Sequence, residues 1–258
     1  TDATRWRVVE ELRLGTLDEP GPSQFGRIDG LLAGASGRIY VHDGIAQEVR
    51  VFGPDGDHLH TLGGAGEGPM EFGGVVGLAV SPEGHLWVVD AGNNRYAEYD
   101  PAGGLVAIHP RTVSSHASMS PTVLADGSLL EWAAIGRTDQ TRAWQPVRFT
   151  PPATFDTLPA IEYRFGTVGN GAAMTEWNMT LTGTPGGDGT VWVSSMNEYV
   201  VHRVDLSGDT LLSLTRPFEP APVPREARDS VVDFYGQFGL DIDASDIPTE
   251  KLVVQRLV

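Results

Sequence analysis

An all-β chain, built as a β-propeller of four-stranded blades, is predicted by three observations. A unit of about 47 residues recurs along the 258-residue chain. Each unit divides into short apolar runs separated by turns rich in Gly and Pro. The second run of each unit is apolar on both faces, so it is buried from both sides. The 32 Gly and 18 Pro fall between these runs, and a 40% hydrophobic content is enough for a core.

The repeat is plainest early in the chain. The stretch from Phe25 lies on the stretch from Phe72 without a gap, so that Gly26 and Gly73, Gly37 and Gly84, Asp43 and Asp90, and Gly56 and Gly103 coincide. Two more degraded copies keep the Gly that heads the second strand, at Gly127 and Gly189. The third unit is longer, and its excess is read as an insertion around 136–143 and a loop around 163–176. The expected blades are 25–63, 72–110, 118–159 and 179–215, all within a single domain 1–258.

Inside the first unit the expected strands are 31–33, 38–42, 48–52 and 58–62. Pro54 and Gly56, like Pro101 and Gly103, suit the turns between later strands, because Pro presets φ near −65° and Gly tolerates positive φ. Ile39-Tyr40-Val41, Leu86-Trp87-Val88, Leu129-Leu130 and Val191-Trp192-Val193 are the doubly apolar second strands. An ordinary sandwich strand shows one polar face to water, whereas stacked blades bury both. Tyr40, Trp87 and Trp192 are therefore expected to lie buried between blades.

Three stretches carry a family resemblance: Gly64 to Phe72 (GAGEGPMEF), Gly77 to Val80 (GLAV) and Val88 to Arg95 (VVDAGNNR). They resemble the NHL-type repeat of six-bladed β-propellers, most closely over 25–110 and less so to 215. The resemblance implies that 1–17 holds the outer strand of the closing blade, at 6–14, and that the ring is incomplete in this chain. Beyond 215 the repeat gives way to a predicted helix opening at Pro224, which suits a first turn. Ala227, Val231, Phe234, Tyr235 and Phe238 are expected on its one apolar face. Residues 252–258 read as the start of a fifth blade.

Charge narrows the partners. With 18 basic and 34 acidic residues, the formal charge of −16 repels polyanions, so no nucleic acid partner is expected. The same sign opposes adsorption to anionic lipid, and no apolar run approaches the ~20 residues of a membrane span, so direct membrane insertion is not expected. The absence of Cys excludes disulfides and thiolate chemistry. Because residue 1 is Thr rather than Met, the expectation is export, to the periplasm or outside the cell, with a location peripheral to a membrane.

Several polar groups invite a chemical reading. The Gly63 to Gly68 run lacks the Gly-Lys-Ser/Thr ending of a phosphate loop and is expected to be an interblade turn. Asp90, Asn93 and Arg95 are expected to tie down their own turn, with Arg95 pairing with Asp90. Glu67-Gly68-Pro69 is similar to a metal-ligand Glu of gluconolactonase-like propellers, which hold a divalent cation. Asn170, Asn178 and Asp188 are the candidates by type for the rest of such a set. His58 and His60, two apart, face one side of a strand as a Zn²⁺ pair would, but no third ligand accompanies them. No Gly-x-Ser-x-Gly elbow occurs.

No catalytic, cofactor-binding or metal-ligating residue is therefore assigned, and no cofactor is expected. The expected function is that of a non-catalytic binding or scaffold propeller. Its partner would be a protein or a larger membrane-associated complex, on which the chain docks as an extrinsic subunit. The alternative is a lactonase-like propeller hydrolase with a divalent cation in its channel.

Overall fold

The computed structural model describes residues 9–15, 20–113, 121–138, 141–158, 163–168, 173–179, 181–186, 188–195, 199–239, 242–247 and 249–250. The chain divides into two compact units, Thr1–Ile108 and His109–Val258. Its β-structure is a succession of antiparallel sheets that follow chain order, as the blades of a β-propeller do.

In the first unit, β1 (Ile28–Ala33), β2 (Ile39–Asp43), β3 (Glu48–Phe52) and β4 (His58–Gly63) form one sheet in that order. The next sheet repeats the plan with β5 (Val75–Val80), β6 (Leu86–Asp90), β7 (Arg95–Tyr99) and β8 (Leu105–Pro110). Tyr40, Val49 and Val51 of the first sheet pack on Leu86, Val88, Ala97 and Tyr99 of the second. Burying each such side chain contributes about 1.5–3 kcal/mol, so face-to-face stacking is the main stabilising term here.

The second unit opens with β9 (Thr122–Val123), β10 (Leu129–Thr138), β11 (Thr141–Thr150) and β12 (Thr154–Thr157). The expected insertion and loop are instead strands: β10 and β11 run on as a long hairpin, and β13 (Tyr163–Val168) and β14 (Ala173–Met179) extend the sheet. The reason lies in lengths. β12 covers only Val147 to Thr150 of the ten-residue β11, and β13 pairs with the remaining edge at Thr141 to Trp144. A four-stranded sheet of β15 (Leu181–Pro185), β16 (Thr190–Ser195), β17 (Val200–Asp205) and β18 (Thr210–Thr215) follows. Leu130 and Trp132 pack against its Val191, Val193 and Val204.

The four heading glycines each close the turn into the second strand of their own sheet. Gly37, Gly84, Gly127 and Gly189 have φ of 78°, 89°, 80° and 76°, a left-handed region costly for residues with a Cβ. Each donates its N–H three residues back, to Gly34, Ser81, Leu124 and Gly186.

Two expectations about burial need correction. Tyr40 and Trp87 are each 3% exposed, but Trp192 is only half-buried. Its neighbours Val191 and Val193 pack with Leu130 and Trp132, whereas strand alternation sets Trp192 on the opposite face. The helix α1 (Arg225–Gly236) forms behind Pro224 as expected, yet it buries no residue fully. Val231, Val232 and Tyr235 pack on Ile242 and Ile247, while Phe234 and Phe238 are exposed. Among the described residues, the helix packs on the short 242–247 segment. Residues 9–15 carry no strand; the remainder of the expected closing strand, and 252–258, lie outside the described residues.

Candidate functional site

The Gly-rich run lies in loop 64–74, which joins the first two sheets. Part of its hold is internal: the Phe72 N–H donates to the Gly64 carbonyl at 2.7 Å, and the Gly66 N–H to the Phe72 carbonyl at 3.1 Å. The Gly68 N–H donates to Glu71 Oε2 at 2.8 Å. The Phe72 ring is buried and meets Tyr99 edge-on at 6.2 Å.

The rest of the hold comes from the β6–β7 hairpin, through the three polar residues singled out in the sequence. Asp90 is fully buried, and its Oδ1 accepts from the backbone N–H groups of Gly73 (3.1 Å), Gly74 (3.0 Å) and Asn93 (3.4 Å). Its Oδ2 accepts from Asn93 Nδ2 at 2.8 Å and from Arg95 Nε at 3.1 Å. Asn93 Nδ2 also reaches the Gly66 carbonyl at 2.9 Å. Arg95 donates Nη2 to the Gly68 carbonyl (2.7 Å) and to the Glu71 carbonyl, and Nη1 to the Glu67 carbonyl (3.4 Å). The Asp-Asn-Arg set therefore holds amides on one flank of the loop and carbonyls on the other.

This geometry limits the chemistry. A general base must have a lone pair aimed at a substrate proton, but both Asp90 oxygens are occupied by protein donors. The carboxylate and guanidinium compensate each other's burial, as a buried pair must. What the cluster delivers is an ordered loop, whose Glu67, Pro69, Met70 and Glu71 stand exposed to solvent.

The first sheet repeats the device. Asp43 Oδ2 accepts from Gly26 N at 2.7 Å, and Oδ1 from Arg27, Ile45 and Ala46 at 3.2, 3.1 and 3.3 Å. Burial alone would raise this carboxyl, but the four backbone donors together outweigh burial and hold it below the usual carboxylate value. Arg50 lies 3.4 Å from Asp43 and donates to the carbonyls of Pro22 (3.2 Å) and Gln24 (2.5 Å).

Two related staples escaped the sequence reading. Arg148 donates to Ser128 Oγ (3.0 Å) and to Asp126, and Arg203 donates to Thr190 Oγ1 (3.1 Å) and to Asp188. The Asp-x-Ser/Thr spacing around Gly127 and Gly189 was the available signal. A buried pair was also missed: Arg111 Nε and Nη2 lie 2.9 and 3.2 Å from the two Glu131 oxygens. Glu131 sits inside an apolar strand, and nothing local marks its distant partner.

The remaining candidates do not converge. His58 is exposed and bonds Thr61 Oγ1 at 2.9 Å. His60 is half-buried beside the Gly103 turn, where desolvation lowers its pKa. Among the described residues, no group of three His, Cys, Asp or Glu is placed to hold a metal ion. Of the cation set implied by Glu67, Asp188 is engaged by Thr190 and Arg203, and Glu67 stands exposed on its loop. Asn170 lies outside the described residues, and Asn178 is placed only as a position on β14.

No family model matches the chain, and no curated protein does. Solved structures do. A Bacteroides fragilis protein, whose name records export as an inference, is 16% identical with a TM-score of 0.56; the match covers 86% of this chain and 59% of that one. A Staphylococcus aureus virginiamycin B lyase solved with quinupristin is 14% identical at 0.45, over 79% and 59% of the two chains. Kuenenia stuttgartiensis hydrazine synthase is 12% identical at 0.43, over 86% and 57%. The chain thus spans under two thirds of each of these structures, and the likeness is one of fold. Among the described residues no helix is long and apolar enough to cross a membrane.

Proposed function

We propose that this chain is a non-catalytic binding propeller of the six-bladed NHL type, which docks on a protein partner through the latched loop 64–74. The supporting observation is the latch itself. Polar residues that looked chemical are consumed in backbone hydrogen bonds, and the result is a preorganised display of Glu67, Met70 and Glu71. Ordering a loop before binding removes an entropic cost of association. Met70 is 51% exposed between the two carboxylates, so the matching surface is an apolar recess bordered by Lys or Arg. The reading includes export and an extrinsic position on a membrane complex, because so acidic a chain attaches through protein rather than through anionic lipid.

Carboxylate-to-amine cross-linking of the natively extracted protein, read by mass spectrometry, tests this. Cross-links from Glu67 or Glu71 to lysines of a second protein are expected, and they should disappear in Met70→Asp. A chain that cross-links to nothing and turns over lactones only with Ca²⁺ would overturn the reading in favour of a propeller hydrolase.

A further inference from the structure

The repeat makes one buried group stand out. His42 lies on β2 opposite Gly30 of β1, and one repeat later Val89 lies on β6 opposite Gly77 of β5. Both inner strands bulge just before that glycine, so an extra residue stands beside it: Asp29 in the first sheet and Val76 in the second. The second sheet shows that two valines satisfy the fold at these places. The first sheet carries titratable groups at both, and Arg27 stands where the second sheet has Gly74.

The three groups are unequally held. Arg27 donates Nε and Nη2 to the two Asp29 oxygens at 2.6 Å each, and the side chains are 59% and 33% exposed. His42 is 2% exposed, and its Nε2 is shut from solvent without a hydrogen-bond partner among the described residues. A neutral imidazole tolerates that state at moderate cost, whereas an imidazolium in the same place needs an acceptor. Asp43 is already committed: four backbone N–H groups occupy its oxygens, and Arg50, itself bonded to Glu48, stands 3.4 Å away. β3 sets Val49 opposite His42, and the second sheet brings Leu78 beside Gly30. Asp29 is the acceptor that remains. Its carboxylate crowds the space beside Gly44, two residues along from His42, and its charge acts on the imidazole ahead of that of Asp43. An exposed ion pair holds weakly and a bulged residue lies outside the ladder, so Asp29 is free to change partners.

We propose that Arg27, Asp29 and His42 form an acid-operated switch on the edge strand β1. When His42 takes up a proton from solvent, its Nε2–H donates to Asp29, the carboxylate leaves Arg27, and the guanidinium turns out to water. One proton is taken up and no covalent bond changes. The window follows from the two directions of shift. Burial lowers the pKa of His42, and the hydrogen bonds from Arg27 lower that of Asp29. The imidazole therefore titrates below about pH 6.5, while the carboxylate stays charged down to about pH 4. Acid thus presents a cation at the entry to β1 that is masked at neutral pH. The switch is independent of docking through loop 64–74.

Nuclear magnetic resonance of the intact chain tests this, following the His42 ring and the Arg27 Nε–H from about pH 7.5 to about pH 4.5. The Arg27 signal should shift toward that of a free guanidinium, with the same midpoint as the His42 ring. In His42→Val, which copies the second sheet, it should hold still until Asp29 itself titrates. Arg27→Gln should move the His42 midpoint upward, because the carboxylate is then already released, and Asp29→Asn should move it downward. An Arg27 signal indifferent to the His42 titration, one that shifts equally in His42→Val, or a His42 ring that stays neutral until the chain unfolds would each overturn the proposal.

Discussion

Gln47 and Asn94, one repeat apart, share a left-handed backbone with φ of 54° and 51°. Each ends the turn between the second and third strands of its sheet, yet only one position is free to become Gly. Gln47 also donates from Nε2 to the Gly44 carbonyl (2.8 Å) and accepts from the Val75 N–H (3.3 Å). Gln47→Gly should therefore cost about 1–2 kcal/mol through these lost bonds. Asn94→Gly should fall within about 0.5 kcal/mol of wild type, while Asn94→Val costs about 1–2 kcal/mol in backbone strain. Urea denaturation of the three variants gives the ranking.

Removing one member of the Asp90–Arg95 pair should loosen the loop that the pair holds. Arg95→Met leaves a fully buried carboxylate without its compensating charge, at a cost of about 3–5 kcal/mol. Hydrogen exchange should show faster amide exchange at Gly66, Gly73 and Gly74 in this variant. Unchanged protection there would mean that the loop is ordered without the latch.

The Arg111–Glu131 pair is the most deeply buried ion pair described, with side chains 1% and 0% exposed. Glu131→Leu should destabilise the protein by about 3–5 kcal/mol, because a guanidinium is left buried without its carboxylate. The double change Arg111→Met with Glu131→Leu should cost clearly less than the two single changes added together. Chemical denaturation of the four proteins closes the cycle.

His42 is 2% exposed, and burial pushes its imidazole below the ordinary value, while the nearby Asp29 and Asp43 pull it upward and Arg27 opposes them. A base depressed in the folded state binds its proton more readily when unfolded. Its contribution to stability is therefore complete above about pH 6.5 and is lost as pH falls through the folded value, by at most about 1.4 kcal/mol per pH unit. The Asp43 carboxyl, also depressed, adds its own loss only below about pH 4. Urea midpoints at pH 7.5 and 5.5 should differ more for the wild type than for His42→Leu.

Gly127 and Gly236 have open space where a Cβ would go, but only Gly127 has positive φ, at 80°. Gly127→Ala should cost about 1–2 kcal/mol from backbone strain alone. Gly236→Ala, at the end of α1, should instead stabilise by about 0.5–1 kcal/mol. Thermal unfolding followed by circular dichroism separates the two signs.

Whatever depends on neighbours along the chain could be read from the residues. The repeat anchored at Phe25 and Phe72 located the blades, the heading glycines marked turns that need positive φ, and the doubly apolar second strands marked stacking. Asp90, Asn93 and Arg95 were legible as turn-binding groups because short polar side chains bond nearby backbone. Which edge and which face acquire a cover was not legible. β13 joins β11 because β12 is too short to cover it; Phe234 stays exposed while Tyr40 is buried; Arg111 finds Glu131 across the fold. Each of these outcomes depends on which segments meet in space, and residue pattern along a strand or helix specifies a face without specifying what will lie against it.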